Sequence, residues 1–329
     1  MLKGKKILIT GGTGSLGQAL TKRLLDLDVD TVRIFSRNEN NQFKMQSELK
    51  DDRLRYFVGD VRDLPRLTRA VEDIDIVYHA AALKHVPIIE YNPFEAIKTN
   101  VLGSQNVIDA CLHENVETSI CIGTDKAVSP FNTYGATKLL MEKLFVTAGN
   151  YLNKEKHRTK FIALRYGNVF GSSGSVVLHF MNQIQNNQKL SITDPAMTRF
   201  NITMNTALDF ILESTILGQG SEIFVPKLKA YKITDLVDVM TELKKNVNQE
   251  IIGIRSGEKL HEILISNNEL RNTWELGNKY VIFNNKNDEE NLKNSHAELK
   301  KIDQTSEYSS DSAVKLSKSE LRELIKNYI

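Results

Sequence analysis

Five polar side chains in the middle of the chain have the types and spacing for proton-transfer chemistry: Thr124, Asp125, Lys126, Tyr134 and Lys138. The first three follow an apolar run that reads as a buried strand, so they fall at its C-terminal end, where open α/β sheets place their ligands. Tyr134 and Lys138 are four positions apart, which puts a phenol and an ammonium on one face of the next helix. Because a nearby cation favours the phenolate, we expect the tyrosine pKa to lie below its reference value of about 10. A base, an acid and an activated phenol at the mouth of a sheet indicate redox chemistry coupled to proton transfer at a hydroxylated carbon.

A glycine-rich loop near the start of the chain predicts a dinucleotide site. The apolar run 7–10 reads as a strand, and leucines recur at helical spacing after the loop. Glycine is needed between the two because the backbone must turn tightly and approach a pyrophosphate, whose charge meets the free N–H groups of the helix N-terminus. A plain glycine turn is the alternative. The contacts that we expect here are Gly11, Thr13, Gly14, Ser15, Leu16 and Gly17.

The ends of the next strands bear on which dinucleotide binds. Ser36 and Arg37 stand where an NAD enzyme would usually carry Asp or Glu for the ribose hydroxyls. A hydroxyl and a guanidinium suit a 2′-phosphate, so we expect NADP rather than NAD, with a solvated strand end as the alternative for Arg37. After the third strand, Asp60 with Val61 could reach the adenine, although Asp60 would also suit a turn. After the fourth, small residues would let the backbone approach the middle of the dinucleotide, at Ala80, Ala81 and Ala82.

The catalytic motifs have ordinary alternatives. Tyr-x-x-x-Lys occurs by chance in many helices, and Thr-Asp-Lys would suit a turn at a strand end. Their order along the chain favours a functional interpretation, because both follow a dinucleotide fingerprint. Farther along, Arg199 beside an aromatic ring and Arg255 in a glycine loop suit a diphosphate clamp, and a surface salt bridge is the alternative for either. Lys84, in a loop over the predicted crevice, could meet substrate.

Strands and helices alternate over the first half of the chain, which predicts an α/β fold. We expect a doubly wound parallel sheet, the NAD(P)-binding Rossmann fold, with a smaller substrate-binding domain. The NADP-binding domain is expected at 1–167, with later segments returning to it at about 190–225. Residues 168–329 then form mainly the substrate-binding domain and a C-terminal arm. Within them, 284–312 has little apolar periodicity, which predicts a surface arm that is partly mobile or used in assembly.

Composition argues against several other classes of function. The 329 residues are 41% hydrophobic, enough for a sizeable core over about two domains. A net charge of +2 gives no basic field for nucleic acid. Cys111 and Cys121 lie in apolar stretches and no Cys/His cluster has metal-ligand spacing, so we expect neither a disulfide nor a metal. The sequence has no signal-peptide pattern and no membrane span, which predicts a cytoplasmic protein without a membrane partner.

Together these residues resemble the extended short-chain dehydrogenase/reductase superfamily, and more narrowly the UDP-N-acetylglucosamine 4,6-dehydratases that invert C5. The resemblance covers nearly the whole chain. Its most specific stretches are AALKHVP (81–87), TDKA (124–127), YGATK (134–138), RYGNV (165–169), MTRF (197–200) and GEKLHE (257–262). The chain departs from the pattern at Gly123, where such enzymes often carry serine. Because Thr124 remains, we expect substrate positioning to survive with one hydroxyl donor lost.

The resemblance implies a role for each catalytic residue. Tyr134 as phenolate, assisted by Lys138 and Thr124, would take the C4 hydroxyl proton of UDP-N-acetylglucosamine while the C4 hydride passes to NADP+. Lys126 would remove the C5 proton if neutral, a state that burial and a nearby cation favour, and protonated Asp125 would give a proton to the departing C6 hydroxyl. Hydride return to C6 and reprotonation of C5 from the opposite face give an L-arabino 4-keto-6-deoxy sugar. Lys126 stands where retaining dehydratases usually carry glutamate, which is the basis for expecting inversion.

Binding contacts and assembly are implied in the same way. The cofactor would also meet Lys84, Tyr134 and Lys138. A homo-oligomer, dimer or hexamer, is implied, with the helices from Asn92 and Tyr134 packed against a second subunit. Contacts with the UDP-N-acetylglucosamine substrate are implied for Lys84, Lys126, Asn168, Arg199, Arg255 and Glu258.

Three alternative functions remain open. A nucleotide-sugar 4-epimerase needs the same tyrosine and nicotinamide but no acid–base pair for C5 and C6, so Asp125 and Lys126 count against it. A C5-retaining 4,6-dehydratase is a second alternative, and the Asp-Lys pair is what argues against it. A non-catalytic NADP-binding regulator would keep the glycine loop but could dispense with Tyr134 and Lys138.

Overall fold

The structure is a computed structural model, and it describes residues 2–153, 155–172, 174–243, 247–255, 257–284, 289–290, 293–294 and 296–326. Parts of the predicted arm, at 285–288, 291–292 and 295, lie outside the described residues.

Most of the strands contain buried residues, whereas Gln249–Ile251 and Lys300–Lys301 are exposed. In chain order they are β1 Lys6–Thr10, β2 Thr31–Ser36, β3 Leu54–Val58, β4 Ile76–His79, β5 Thr118–Ile122, β6 Lys160–Leu164, β7 Leu190–Ile192, β8 Thr198–Phe200, β9 Glu222–Pro226, β10 Ala230–Lys232, β11 Gln249–Ile251, β12 Ile263–Ile265, β13 Thr273–Leu276, β14 Lys279–Phe283, β15 Lys300–Lys301 and β16 Tyr308–Ser309.

Helices connect these strands and cover the faces of the sheet. The α-helices are α1 Ser15–Leu25, α2 Glu39–Leu49, α3 Leu64–Val71, α4 Val86–Tyr91, α5 Pro93–Ala96, α6 Gly103–His113, α7 Thr133–Ala148, α8 Val176–Gln185, α9 Met204–Leu217, α10 Ile233–Leu243 and α11 Lys318–Lys326. A π-helical segment covers Ile97–Leu102, and 3-10 turns cover Asp125–Ala127, Gly149–Tyr151 and Leu270–Asn272. In the described part of the chain, no helix combines the length and the apolar character needed to cross a membrane.

The main sheet has the strand order of a doubly wound fold. Its order is β3-β2-β1-β4-β5-β6-β9-β14-β13-β15. Pairing is parallel from β3 to β9 and antiparallel from β9 to β15. The direction of winding reverses between β1 and β4, which opens a crevice at the carboxyl ends of the strands. Parallel strands are covered on both faces, and accordingly all five residues of β5 are buried. The predicted Rossmann fold is confirmed.

A π-helical segment interrupts the helix predicted after Asn92. Asn100 lies within it, fully buried, and its side-chain amide bonds the backbone of the preceding loop. The amide oxygen accepts from the N–H of Leu83 at 2.8 Å, and the amide nitrogen donates to the Leu83 carbonyl at 3.0 Å and to the Thr137 hydroxyl at 3.0 Å. Asn100 thus ties the loop over the crevice to α7.

A second apolar cluster lies beside the main core and lines the substrate side of the crevice. It contains Phe170, Phe180, Tyr231 and Leu321, contributed by elements late in the chain. Strand β7 belongs to this part and pairs with β11, whereas α9 packs on α1 and β9 joins the main sheet. The domain boundaries at 167 and 168 stay a prediction.

The C-terminal arm differs from the surface segment expected at 284–312. Strand β15 extends the main sheet beside β13, and β16 pairs with β12. Leu299, Ile302 and Tyr308 are buried, and the Tyr308 hydroxyl donates to the Leu228 carbonyl at 2.8 Å. The expectation was wrong for 299–310 because isolated apolar residues, without a helical or strand period, anchor this stretch to existing sheet edges.

Candidate active site

The turn after β5 is fixed to the neighbouring strand by backbone hydrogen bonds. Gly123 N–H donates to the Leu164 carbonyl at 2.6 Å, and Asp125 N–H donates to the Tyr166 carbonyl at 3.1 Å. The Thr124 hydroxyl accepts from Lys126 N–H and donates to the Asp125 carboxylate at 2.9 Å. The predicted strand end therefore holds Thr124, Asp125 and Lys126 in one short turn.

Asp125, Lys126 and Glu262 form a buried charged cluster beside this turn. Lys126 Nζ lies 3.1 Å from Asp125 Oδ1, 3.2 Å from Glu262 Oε1 and 3.2 Å from Asn168 Oδ1. The Asp125 side chain is fully buried and that of Glu262 is 4% exposed. Among the described residues, no group hydrogen-bonds to Asp125 Oδ2 or Glu262 Oε2. Each carboxylate thus keeps one oxygen available to a ligand or a proton.

The protonation states in the charged cluster differ from the expectation for lysine. Burial lowers the pKa of Lys126, but the carboxylates of Asp125 and Glu262 outweigh burial and raise it overall. Burial, helped by the charge of Glu262, raises the pKa of Asp125. The protonated Asp125 that we expected therefore agrees in direction. The neutral Lys126 was wrong, because two carboxylates hold its ammonium where a cation was expected to destabilise it.

Tyr134 and Lys138 lie at the start of α7, which begins at a well-formed cap. The Asn132 side chain accepts from Gly135 N–H at 2.7 Å and so ends the preceding loop. Lys138 Nζ turns away from the phenol, donating to the Ile122 carbonyl at 2.6 Å and contacting Met141 Sδ at 3.1 Å. Burial lowers the pKa of Lys138 to about 8.

The predicted activation of Tyr134 by Lys138 is wrong for this state of the protein. Burial raises the pKa of Tyr134, with help from Asp125 and Glu262, while Lys126 and a hydrogen bond with Thr124 oppose this rise. The helix spacing correctly put both side chains on one side of α7 but could not fix where the long lysine chain ends. Its ammonium is satisfied by the carbonyl at the end of β5.

One cavity of about 510 Å³ lies at the carboxyl ends of β1 and β4. The glycine loop is packed tightly there: a Cβ on Gly11 would lie 2.8 Å from Ala81 N, and Gly11 has a φ of +69°. Gly17 is equally constrained, since its Cβ would lie 2.6 Å from Gly12 Cα. All the sequence-predicted cofactor positions line this cavity: Gly11, Thr13, Gly14, Ser15, Leu16, Gly17, Ser36, Arg37, Asp60, Val61, Ala80, Ala81, Ala82, Lys84, Tyr134 and Lys138.

The residues at the far end of this cavity are already paired with each other. Arg37 Nη1 lies 3.7 Å from Asp60 Oδ2, and Arg62 donates to the same oxygen at 2.7 Å. The Ser36 hydroxyl accepts from Gln42 at 3.0 Å. The Arg37 side chain is 53% exposed, so its guanidinium remains accessible to an anionic ligand.

A second cavity, of about 630 Å³, adjoins the first on the substrate side. Thr124 and Tyr134 line both cavities, so the catalytic residues stand where the two meet. The Arg199 guanidinium donates to the carbonyls of Thr198 and Leu260 and lies 3.9 Å from Glu262. All six predicted substrate contacts line this cavity: Lys84, Lys126, Asn168, Arg199, Arg255 and Glu258.

Sequence reasoning missed part of this second cavity and one member of the charged cluster. Phe180, Thr193 and Tyr231 line the cavity but come from three separate elements without a shared motif. Glu262 stands at the end of the GEKLHE stretch, and no local pattern links it to Lys126. Only the resemblance of that stretch to known dehydratases could have drawn attention to Glu262.

Packing leaves no room for a side chain at Gly123, where the resemblance led us to expect serine. Its Cβ would lie 2.3 Å from the Leu164 carbonyl oxygen. We expect Gly123→Ser to lower the free energy of unfolding by about 1–3 kcal/mol, because the turn must move away from β6. Urea unfolding followed by circular dichroism measures this change.

Gly149→Ser is the matched control. There the new Cβ would meet only the Ser221 hydroxyl, at 3.2 Å, and that side chain can rotate away. A Gly123→Ser protein as stable as the control would contradict the close approach of the turn to β6.

Known proteins resemble this chain over most of its length. The family described as "Polysaccharide biosynthesis protein" matches residues 7–284. A protein of Campylobacter jejuni named UDP-N-acetylglucosamine 4,6-dehydratase (inverting) is 50% identical over 284 residues, which are 86% of this chain and 84% of that protein. A UDP-glucose 4-epimerase of Rickettsia bellii is 40% identical, over 99% of this chain and 97% of its own. The X-ray structure of Pen from Bacillus thuringiensis superposes with a TM-score of 0.91 at 40% identity, over 99% of this chain and 98% of that one. The chain therefore belongs to the polysaccharide biosynthesis protein family and to the same family as the inverting UDP-N-acetylglucosamine 4,6-dehydratases.

Proposed function

We propose that this protein is an NADP-dependent hydro-lyase, a UDP-N-acetylglucosamine 4,6-dehydratase that inverts C5. The observation that carries the proposal is the Asp125–Lys126 pair, whose charged atoms lie 3.1 Å apart and whose lysine lines the substrate-side cavity beside Tyr134. Oxidation at C4 needs a group that takes the hydroxyl proton, which a phenol can do, and loss of water needs an acid at C6 and proton exchange at C5, which an aspartate and a lysine can serve. The name of the Campylobacter jejuni relative supports the same reaction.

The chain's own residues account for the proton movements at the C4 and C6 hydroxyls, while the C5 proton lost in the elimination would pass to water. A nicotinamide cofactor, when bound, supplies reversible hydride transfer. Tyr134, with the Thr124 hydroxyl beside it, would receive the proton of the C4 hydroxyl. Asp125, whose pKa is raised by burial, holds the proton that the departing C6 hydroxyl needs. Lys126 holds a proton close to Asn168, on the cavity side of the charged cluster. The product would be UDP-2-acetamido-2,6-dideoxy-β-L-arabino-hex-4-ulose.

A nucleotide-sugar 4-epimerase is the second candidate, favoured by the 40% identical relative that carries the name UDP-glucose 4-epimerase. Epimerisation at C4 requires the tyrosine and the nicotinamide only. It leaves unexplained why a fully buried aspartate and a lysine adjoin the tyrosine. A retaining dehydratase is a weaker candidate because of the Asp125–Lys126 pair. A non-catalytic regulator is weaker because it could dispense with Tyr134 and Lys138.

The decisive experiment follows sugar protons by NMR while the purified protein acts on UDP-N-acetylglucosamine in deuterated water. We expect a new C6 methyl signal, deuterium at C5 and L-arabino couplings. Lys126→Ala should lower the rate by at least about 100-fold, because one acid–base group is removed. Lys143→Ala, an exposed lysine on α7, is the control and should keep full activity.

Each other outcome identifies a different function. The D-xylo isomer alone means a retaining enzyme, and a galacto sugar without a methyl signal means the epimerase. No reaction after NADP+ is added contradicts the proposed substrate. Full activity of Lys126→Ala would mean that Lys126 takes no part in the reaction.

We further propose that Arg37 selects NADP over NAD. Its guanidinium is half exposed in the cofactor cavity and would bond a 2′-phosphate. Titration calorimetry of cofactor-free protein should give tighter binding of NADP+ than of NAD+. Arg37→Gln should reduce the ratio of the two dissociation constants by about 10–100-fold, as expected for a lost charge-assisted hydrogen bond. Arg62→Gln removes the other arginine on Asp60 and should leave the ratio unchanged; an unchanged ratio in Arg37→Gln contradicts the assignment.

We propose a homo-oligomer that buries the exposed apolar residues of α4, α5 and α7. Tyr91 is 89% exposed and Phe94 is 61% exposed, and Leu140 of α7 is half exposed. These helices pack on one another, so their apolar residues extend over adjoining surface. Sedimentation velocity should show a dimer or larger assembly, and Phe94→Glu should shift it toward monomer. Phe43→Glu, on the distant helix α2, should not; equal behaviour of the two variants contradicts this interface.

A further inference from the structure

Glu262 contacts the catalytic turn from a distant part of the chain. It precedes β12, and its carboxylate lies 3.2 Å from Lys126 Nζ. The Asp125 carboxylate lies 3.1 Å from the same atom. Its side chain is 4% exposed and also borders a small cavity beside Lys126, Arg199 and Arg255. Burying a carboxylate costs free energy unless the carboxylate is paired, and Lys126 is the partner of Glu262.

The C-terminal arm fixes the backbone at this residue. Glu262 N–H donates to the Ser310 hydroxyl at 2.9 Å, and Ser310 N–H donates to the Glu262 carbonyl at 2.7 Å. The Ser310 hydroxyl also bonds the Thr198 carbonyl at 3.1 Å. Two reciprocal bonds fix the Glu262 backbone, so the buried side chain of Glu262 begins at one position beside Lys126.

Charges of both signs surround the lysine from several elements. The carboxyl groups come from Asp125 in the turn and Glu262 before β12. The cations are Arg199 on β8 and Lys259 in the loop before β12. The charged and titratable groups that act on Lys126, or on which it acts, are Asp125, Tyr134, Arg199, Tyr231, Lys259 and Glu262. With Asp125 inclined to hold a proton, Glu262 is the carboxylate that most consistently balances the ammonium.

We infer that Glu262 is a positioning residue that fixes the Lys126 ammonium between Asp125 and Asn168, so that Lys126 serves the dehydration as a proton donor. This inference rests on the proposed function and assigns the state in which Lys126 acts. When the C4 enolate is protonated, an N–H bond of Lys126 breaks and a C5–H bond forms from the enolate electron pair. The C4 carbonyl is restored, and the neutral amine regains its proton from water.

The direction of the pH effect separates a donor from a base. Glu262 raises the pKa of Lys126, so removing its charge lowers that pKa. A donor must be protonated, and its activity is therefore lost as pH rises through the pKa. Glu262→Gln should move the alkaline limb of the kcat profile to lower pH by about 1–3 units, the usual effect of one close opposite charge. If Lys126 acted as a neutral base, the same change would extend activity toward lower pH.

The test combines this profile with a titration that needs no substrate. Protein labelled with [ε-13C]lysine is titrated by NMR, and the Lys126 signal is assigned by its absence in Lys126→Ala. Glu262→Gln should lower its midpoint, and Glu262→Asp, which keeps the charge, should restore most of the shift. Glu269→Gln is the matched control, because Glu269 is a partly buried carboxylate nearby in the chain that pairs with Arg165 instead.

We expect the control to change stability without moving the Lys126 midpoint or the alkaline limb. An unchanged midpoint in Glu262→Gln, or an equal shift in Glu269→Gln, would overturn the inference. So would a profile that shifts the acid limb and extends activity to lower pH. If the wild type fails to act on UDP-N-acetylglucosamine while the midpoint shifts as expected, the proposed function fails but the pairing of Glu262 with Lys126 stands.

Discussion

A fully buried arginine determines how the parts of the crevice fit together. The Arg165 guanidinium donates to Glu142 of α7 at 2.5 and 3.0 Å, to Glu269 at 2.9 and 3.1 Å and to the Leu264 carbonyl at 2.8 Å. Breaking such a network by removing one partner typically costs about 3–5 kcal/mol, although its net contribution against an apolar replacement is small. Its main consequence is therefore geometric: β6, α7 and the segment after β12 have one way to pack. Tyr134 stands on α7, and Glu262 directly precedes β12, whose Leu264 carbonyl is one of the acceptors of Arg165.

Local signals in the sequence were sufficient for the fold and the cofactor cavity. A strand, a glycine loop and a helix follow one another within residues 6–25, and their tight packing leaves one arrangement, as the close approach of Gly11 to Ala81 illustrates. The turn after β5 was predictable for the same reason, since strand ends in a parallel sheet meet at one edge. The antiparallel extension by β13, β14 and β15 was not, because short strands far along the chain give no parallel-sheet pattern.

Protonation states were the least predictable property of the site. A spacing of four residues places a lysine on a given face of a helix, but its long side chain can put the ammonium several ångströms from the expected partner. Lys138 ends on the Ile122 carbonyl rather than the phenol, so burial dominates the pKa of Tyr134. The charge on Lys126 depends on Glu262, which joins the cluster only through the tertiary fold.

The protonation states of Asp125 and Lys126 consequently depend on a third residue, Glu262. With two carboxyl groups close to one ammonium, Asp125 can be protonated while Lys126 and Glu262 stay charged. The net charge of the three side chains is then near zero. Without Glu262, Asp125 alone would have to balance Lys126, and burial would favour its protonated form without the help of a second negative charge. The arm that carries Ser310 thus bears on Asp125, because it fixes the backbone of Glu262, whose charge adds to burial in favouring a protonated Asp125. Glu262 thereby favours a protonated Asp125 beside a charged Lys126, which is the combination that the proposed chemistry at C6 and C5 needs.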